Sequence, residues 1–291
     1  MFSNNLLMAS AGSGFPNAAL IDVLTDLSLT TNLIICLDAG DADSYDGTEA
    51  AWQDVSGNGH HFNRGTSSSS EDIDPVFNGV AGGISNAEYF ESDGDAEDNK
   101  NEDQFVLASG TKPSAIEDMH KDGALCSLIV GYKRGEGSGA WCCFKTNQNS
   151  PVYGAGFGLA NNGTLALFVS GTNNVALSAT TDDTLDVTVG HFAGLSIDEP
   201  TGAGGGFFYA DGDYLQVSAS DTWDATYSSP SSGTALETPR LFAYPLGHYS
   251  PGYFSMPNGA QANFFALWSG SVLTKSNMDD IYARMKGRIL V

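Results

Sequence analysis

Glycine and proline punctuation constrains this chain more than any other feature. Thirty-five glycines and ten prolines are spread over 291 residues. They leave apolar runs that fit strands, which span roughly 4–8 residues, better than helices, which need at least about 10–12. The runs are Leu33–Leu37, Leu125–Tyr132, Trp141–Phe144, Gly156–Ala160, Leu165–Val169, Leu185–Phe192, Gly206–Ala210, Tyr214–Val217, Leu241–Tyr244 and Phe264–Trp268. Leu165–Val169 and Leu185–Val189 carry alternating or β-branched patterns. Asn161-Asn162-Gly163, Asn173-Asn174 and Asp211-Gly212 supply residues that tolerate the positive φ of tight hairpins. Many short strands with regular turns predict an all-β chain, an antiparallel jelly-roll sandwich.

One segment breaks that rule. Over Thr274–Lys286 the apolar residues Met278, Ile281, Tyr282 and Met285 follow helical spacing, with Thr274 as N-cap and Gly287 as stop. The spacing predicts a short C-terminal helix, and a weaker pattern predicts another over Pro16–Leu24. Residues 1–30 are small-residue-rich and apolar with a Gly-Ser-Gly hinge at Gly12–Gly14. They are read as an N-terminal arm for docking or assembly, and residues 31–291 as one sandwich domain. In the arm Phe2, Leu6, Leu7, Phe15, Leu20, Ile21 and Leu24 need a surface to cover them, because each large apolar side chain left wet forgoes roughly 1.5–3 kcal/mol.

Charge narrows the partners. Twelve Lys+Arg face 35 Asp+Glu, a net of −23, which argues against nucleic acid and against anionic membrane surfaces. No apolar run approaches the ~20 residues of a membrane-spanning helix. Met1–Ser10 has no basic start or long apolar stretch, so no secretory signal is expected. Cys36, Cys126, Cys142 and Cys143 lack metal-type spacing and are read as thiols of a protein made in a reducing cytoplasm.

Leu37-Asp38-Ala39-Gly40-Asp41, Ser44-Tyr45-Asp46-Gly47 and Trp52-Gln53-Asp54-Val55-Ser56-Gly57-Asn58-Gly59 form an ordered series. This series resembles the opening of laminin-G-like, concanavalin-A-like jelly-roll domains. Phe208-Tyr209-Ala210-Asp211-Gly212 resembles a hairpin of that family, and Phe264–Trp268 with the following helix resembles its closing segment. The resemblance covers roughly residues 30–286 and implies the fold, not the ligand. The opening stretch MFSNNLLMASAG is similar to the starts of tailed-bacteriophage virion proteins. That second resemblance implies a structural virion protein of capsid-decoration or head-fibre type, assembled in the host cytoplasm. It would dock on other capsid or tail proteins through its arm as a homo-oligomer, expected to be a trimer.

Two alternatives come from other classes. Tyr244, His248, Tyr249 and Tyr253 share a Pro- and Gly-rich loop, a composition suited to an adhesin or lectin that stacks a host-surface glycan on its rings. Glu91-x-Asp93-x-x-x-Glu97 has the spacing of a jelly-roll glucanase carboxylate pair, but polar residues replace the apolar ones that would anchor such a strand. The same stretch offers Asp93, Asp95 and Glu97 as oxygen ligands for calcium, and Asp38, Asp41, Asp43 and Asp46 form a comparable cluster. Both are read first as solvated acidic surface. His60 and His61 are read as loop-packing residues and His191 as a partnered strand residue. No nucleophile elbow, Walker loop or dinucleotide fingerprint occurs, so the chain is expected to be non-enzymatic.

Overall fold

A computed structural model describes residues 17–65, 67–69, 74–92, 103–108, 113–135, 141–146, 153–160, 162–172, 175–233, 238–243, 256 and 258–289. The chain begins with α1 (Leu20–Asp26), β1 (Leu33–Asp38), β2 (Ala51–Trp52), β3 (Phe62–Arg64), β4 (Val76–Asn78), β5 (Tyr89–Glu91) and β6 (Phe105–Leu107). It continues through β7 (Leu125–Lys133), β8 (Trp141–Lys145), β9 (Gly154–Leu159), β10 (Leu165–Ser170), β11 (Val175–Thr180) and β12 (Gly190–Asp198). The last elements are β13 (Gly206–Ala210), β14 (Asp213–Leu215), β15 (Arg240–Ala243), β16 (Gln261–Ser269) and α2 (Lys275–Met285).

Among the described residues these strands make two eight-stranded sheets whose strand pairs are antiparallel. One runs β14-β13-β12-β7-β16-β5-β4, and the other β11-β10-β9-β8-β15-β6-β3-β2. In the first sheet β16 pairs with β7 along one side. Its other side is shared end to end, with β1 opposite Phe264–Trp268 and β5 opposite Gln261 and Ala262. The expected antiparallel sandwich with a C-terminal helix is the architecture found.

The inter-sheet core is aromatic. Trp52 sits 4.9 Å from Phe90 and 5.0 Å from Phe105 between ring centroids, and all three are fully buried. The opposite face of the first sheet is covered by helices: Leu20, Val23 and Leu24 of α1 and Met278, Ile281 and Met285 of α2 pack with Ile129, Phe192, Phe264 and Trp268. Strands β7 and β16 are therefore buried on both faces. Their sequences read as unbroken apolar runs for that reason rather than as alternating ones. The α2 start is a capping box, in which Thr274 and Asn277 satisfy each other's backbone N–H groups.

Two polar knots hold the loops around β1. In the first, the fully buried Asp38 pairs with the fully buried Arg288, Nη2 to Oδ1 at 2.6 Å. Asp38 also accepts the N–H groups of Leu20 (2.8 Å) and Gly40 (2.9 Å), while Arg288 donates to the carbonyls of Ser85 (2.9 Å) and Ala18 (3.2 Å). A Cβ on Gly40 would lie 2.2 Å from Arg288 Nη2, so only glycine leaves room for the guanidinium. In the second, Asp54 accepts N–H groups from Cys36, Ser56 and His60, and Asn58 donates to Leu33 O at 2.9 Å. The Trp52–Gly59 motif is thus a latch that fastens its loop to β1.

The structure departs from the sequence expectations at three places. Leu185–Val189 is a turn rather than the start of a strand. Asp186 Oδ1 accepts both the N–H (2.9 Å) and the hydroxyl (2.7 Å) of Thr188, a local bond that competes with sheet pairing. The expected helix over Pro16–Leu24 is shifted to Leu20–Asp26. Within the segment expected to be an arm, Leu20 and Leu24 are buried against this chain's own sheet and Ile21 is half-buried. These three residues are covered intramolecularly, because α1 brings an apolar face to a sheet face that would otherwise be wet.

Candidate functional site

A cleft of about 440 Å³ opens at the rim where β5 and β7 end and β12 and β16 begin. Its size lies within the roughly 300–1,000 Å³ of small-molecule sites. Sheet register builds its floor. Glu91 on β5 lies opposite Gln261 on β16, Gln261 opposite Lys133 on β7, and Lys133 opposite Gly190 on β12. Residues directly opposite in antiparallel strands share a face. Lys133 is two residues beyond Gly131, which pairs with Phe264 of the helix-covered cluster, so the row belongs to that outer face, at the rim. Gly190 ends the row without a side chain. Arg134, Thr188 and Asn258 complete the walls.

The polar groups of the row are unequally engaged. Gln261 is only 6% exposed, yet its Oε1 has no hydrogen-bond donor among the described residues. Lys133 is half-buried and forms no ion pair among the described residues. Glu91 is 3.5 Å from Asn78 Nδ2, and the pKa of Tyr89 is raised by burial first and then by the Glu91 charge. Arg134 is 5% exposed in the same wall.

One wall is the Asp186–Thr188 turn, which His191 fastens from below. Its Nδ1 lies 2.5 Å from Asp211 Oδ2 and its Nε2 2.6 Å from Asp186 O. Burial alone lowers the pKa of His191, but these two bonds and the nearby carboxylates outweigh it and raise the value above 6.5. Both partners only accept, so the imidazolium is the form that satisfies both at once.

The sequence-predicted residues fall differently. Phe2, Leu6, Leu7 and Phe15, the ring cluster Tyr244, His248, Tyr249 and Tyr253, and the acidic set Asp93, Asp95 and Glu97 lie outside the described residues. The residues that lead into the latter two segments meet at this rim. Ser92 donates to Ala260 O (3.0 Å) and, through Oγ, to Met256 O (3.1 Å), and Gly259 N–H donates to Ser92 O (2.9 Å). Of the Glu91/Glu97 pair, Glu91 lies in the cleft. The other acidic cluster is engaged by the chain's own donors: Asp38 by Arg288, Asp41 by Asp43 N–H, and Asp46 by Thr48 and Glu49. Among the described residues no group of three or more His, Cys, Asp and Glu is placed to hold a metal ion. Cys36, Cys126 and Cys143 are buried outside any disulfide, and burial raises the pKa of Cys36 and Cys126.

Sequence reasoning missed Lys133, Arg134 and Gln261. A signal existed: Lys133-Arg134 puts two of only 12 basic residues directly after an apolar strand. A smaller hollow of about 230 Å³ lies beside the start of α2. There Lys275 is already paired with Asp279 at 2.8 Å and lies over the rings of Tyr209 and Tyr214, so its cation is internally satisfied.

Comparison with solved structures finds likenesses in the sandwich fold. A sialidase of Trypanosoma rangeli in complex with 2,3-difluoro-KDN superposes with a TM-score of 0.52 at 12% identity, over 88% of this chain and 33% of that one. A mutant of the same sialidase displaying trans-sialidase activity gives 0.50 at 10% identity, over 92% and 38%. The likeness is one of fold. This chain spans about a third of the length of those sialidases. The CBM40 of the Ruminococcus gnavus IT-sialidase, bound to α2,3 sialyllactose, gives 0.45 at 12% identity over 62% of this chain and 92% of that one. No protein-family model and no curated protein matches the sequence.

Proposed function

We propose that this chain is a non-enzymatic carbohydrate-binding sandwich of the adhesin type, which holds a glycan in the rim cleft. The observation that carries the reading is the row Glu91–Gln261–Lys133. It presents a carboxylate, an amide and an ammonium side by side on one face, and the amide oxygen is buried without a donor among the described residues. A buried acceptor left unpaired costs roughly 1–3 kcal/mol, and a sugar hydroxyl is a donor of the right size to relieve it. Side chains fixed on adjacent strands hold such geometry better than a loop does. Calorimetric titration of a glycan panel tests the reading. Saturable binding that is lost in Gln261→Leu supports it, and flat titrations with the folded protein across the panel would overturn it. Glycoside turnover abolished by Glu91→Gln would instead make the chain an enzyme.

A second reading, a structural protein of a bacteriophage particle, is favoured by a separate observation. The Asp38–Arg288 knot grips Ala18 and Leu20, so the chain preceding residue 17 leaves from a rigid point. In this reading residues 1–16, with Phe2, Leu6, Leu7 and Phe15, dock on other virion proteins, and the sandwich is displayed in an oligomer, expected to be a trimer. Deleting residues 1–16 should leave a folded sandwich that no longer joins its particle. Normal incorporation of the truncated chain would refute the docking role. The two readings are compatible, since a displayed sandwich can also bind a host-surface glycan.

A further inference from the structure

We infer that the rim cleft selects an acidic sugar, one that carries a carboxylate, over neutral sugars and over simple anions. The inference rests on the glycan-binding reading and names the ligand class of that same site. Two unmet needs are fixed in adjacent strands. Lys133 brings a cation with no ion pair among the described residues, whereas the basic groups of Arg288, Arg284, Lys275 and Lys121 each face an aspartate. Gln261 brings a buried acceptor with no donor among the described residues. A neutral sugar supplies the donor but no charge for Lys133. A small inorganic anion supplies the charge but no donor for Gln261. A carboxylated sugar supplies both.

The third member of the row sets the orientation. Glu91 repels a carboxylate and accepts from hydroxyls, so the ligand's acid must lie towards β7 and its hydroxyls towards β5. The strands of Glu91 and Lys133 are two sheet spacings apart, roughly 9–10 Å, with Gln261 between them. Gly190 beside Lys133 leaves space for the carboxylate end. The local field matters because the chain as a whole, at −23, repels anions. A cleft that takes one must hold its cation at short range, where salt screening is weakest.

The test compares 3′-sialyllactose and a glucuronate-terminated disaccharide with lactose and with acetate, using the full chain and calorimetry at low and high salt. The acidic sugars should bind about tenfold or more tighter than lactose, as charge-assisted hydrogen bonds allow. Their advantage should shrink as salt rises. Lys133→Gln should erase the preference and Lys133→Arg should retain it, which separates a lost charge from a damaged fold. Equal binding of lactose, unchanged in Lys133→Gln, would overturn the acidic selection and leave glycan binding standing. Competition by acetate as strong as by the acidic sugars would overturn it in favour of a general anion site. Failure of every sugar to bind the folded chain would remove both readings together.

Discussion

Two polar clusters lie a few residues apart along β16, and they are opposites. At Phe264 the neighbouring Asp38 meets Arg288 in a knot where each charge has partners, and neither residue is exposed. At Gln261 a row of polar side chains faces a 440 Å³ cleft, where among the described residues an acceptor is unsatisfied and a cation unpaired. A buried charge cluster closed on itself specifies a fold, whereas a half-buried one left open at the rim is available to a ligand. The two differ in burial and in how completely their polar groups are paired.

That contrast can be broken or sharpened by mutation. The largest effect belongs to the closed cluster. Arg288→Ala leaves the Asp38 carboxylate buried without its counter-charge and should cost about 3–5 kcal/mol, read by denaturant unfolding. A loss under 1 kcal/mol would mean the knot is not closed. The open cluster should respond with the other sign. Gln261→Leu replaces an unsatisfied acceptor with an apolar group and should stabilise the chain by up to about 1 kcal/mol while abolishing glycan binding. A destabilised variant would show that the amide has a structural partner.

His191 gives a smaller, pH-dependent effect. Its folded pKa is raised above 6.5 through bonds to Asp211 and Asp186. Its contribution is therefore fully present below the unfolded value of about 6.5 and is lost as pH rises through the folded one. Melting temperature should fall as pH increases across that window, and the slope should flatten in His191→Gln. The smallest effect is on Lys133. Lys133→Gln should shift stability by no more than about 0.5 kcal/mol, because the side chain makes no ion pair among the described residues.

The sequence made the framework readable where burial on both faces writes long apolar runs, as in β7 and β16, and where a cap is local, as at Thr274. It misled at Leu185–Val189, where apolar spacing suggested a strand but one carboxylate, that of Asp186, captured the backbone. Strands β2 to β6 have two or three residues each, too few for a period to show. The cleft was hidden for a different reason. Glu91, Lys133, Thr188 and Gln261 come from four separate segments, and only register brings three of them into a row. The Trp52–Gly59 motif could be matched to a fold family, but its purpose, Asp54 and Asn58 latching β1, emerges only from the hydrogen bonds.

The Asp38–Arg288 knot also governs how the molecule carries load. Leu20 N–H is bonded to the carboxylate at the far end of β1, and Ala18 O to the guanidinium that pairs with it. Tension applied ahead of residue 17 therefore reaches Asp38 and Arg288 directly, and residues 20–38 form a loop outside the line of force. Helix α1 is not loaded until the hydrogen bonds of Leu20 to Asp38 and of Ala18 to Arg288 part. The knot acts as a mechanical fuse, so a sandwich tethered at this point should yield in one abrupt step rather than unravel from its end.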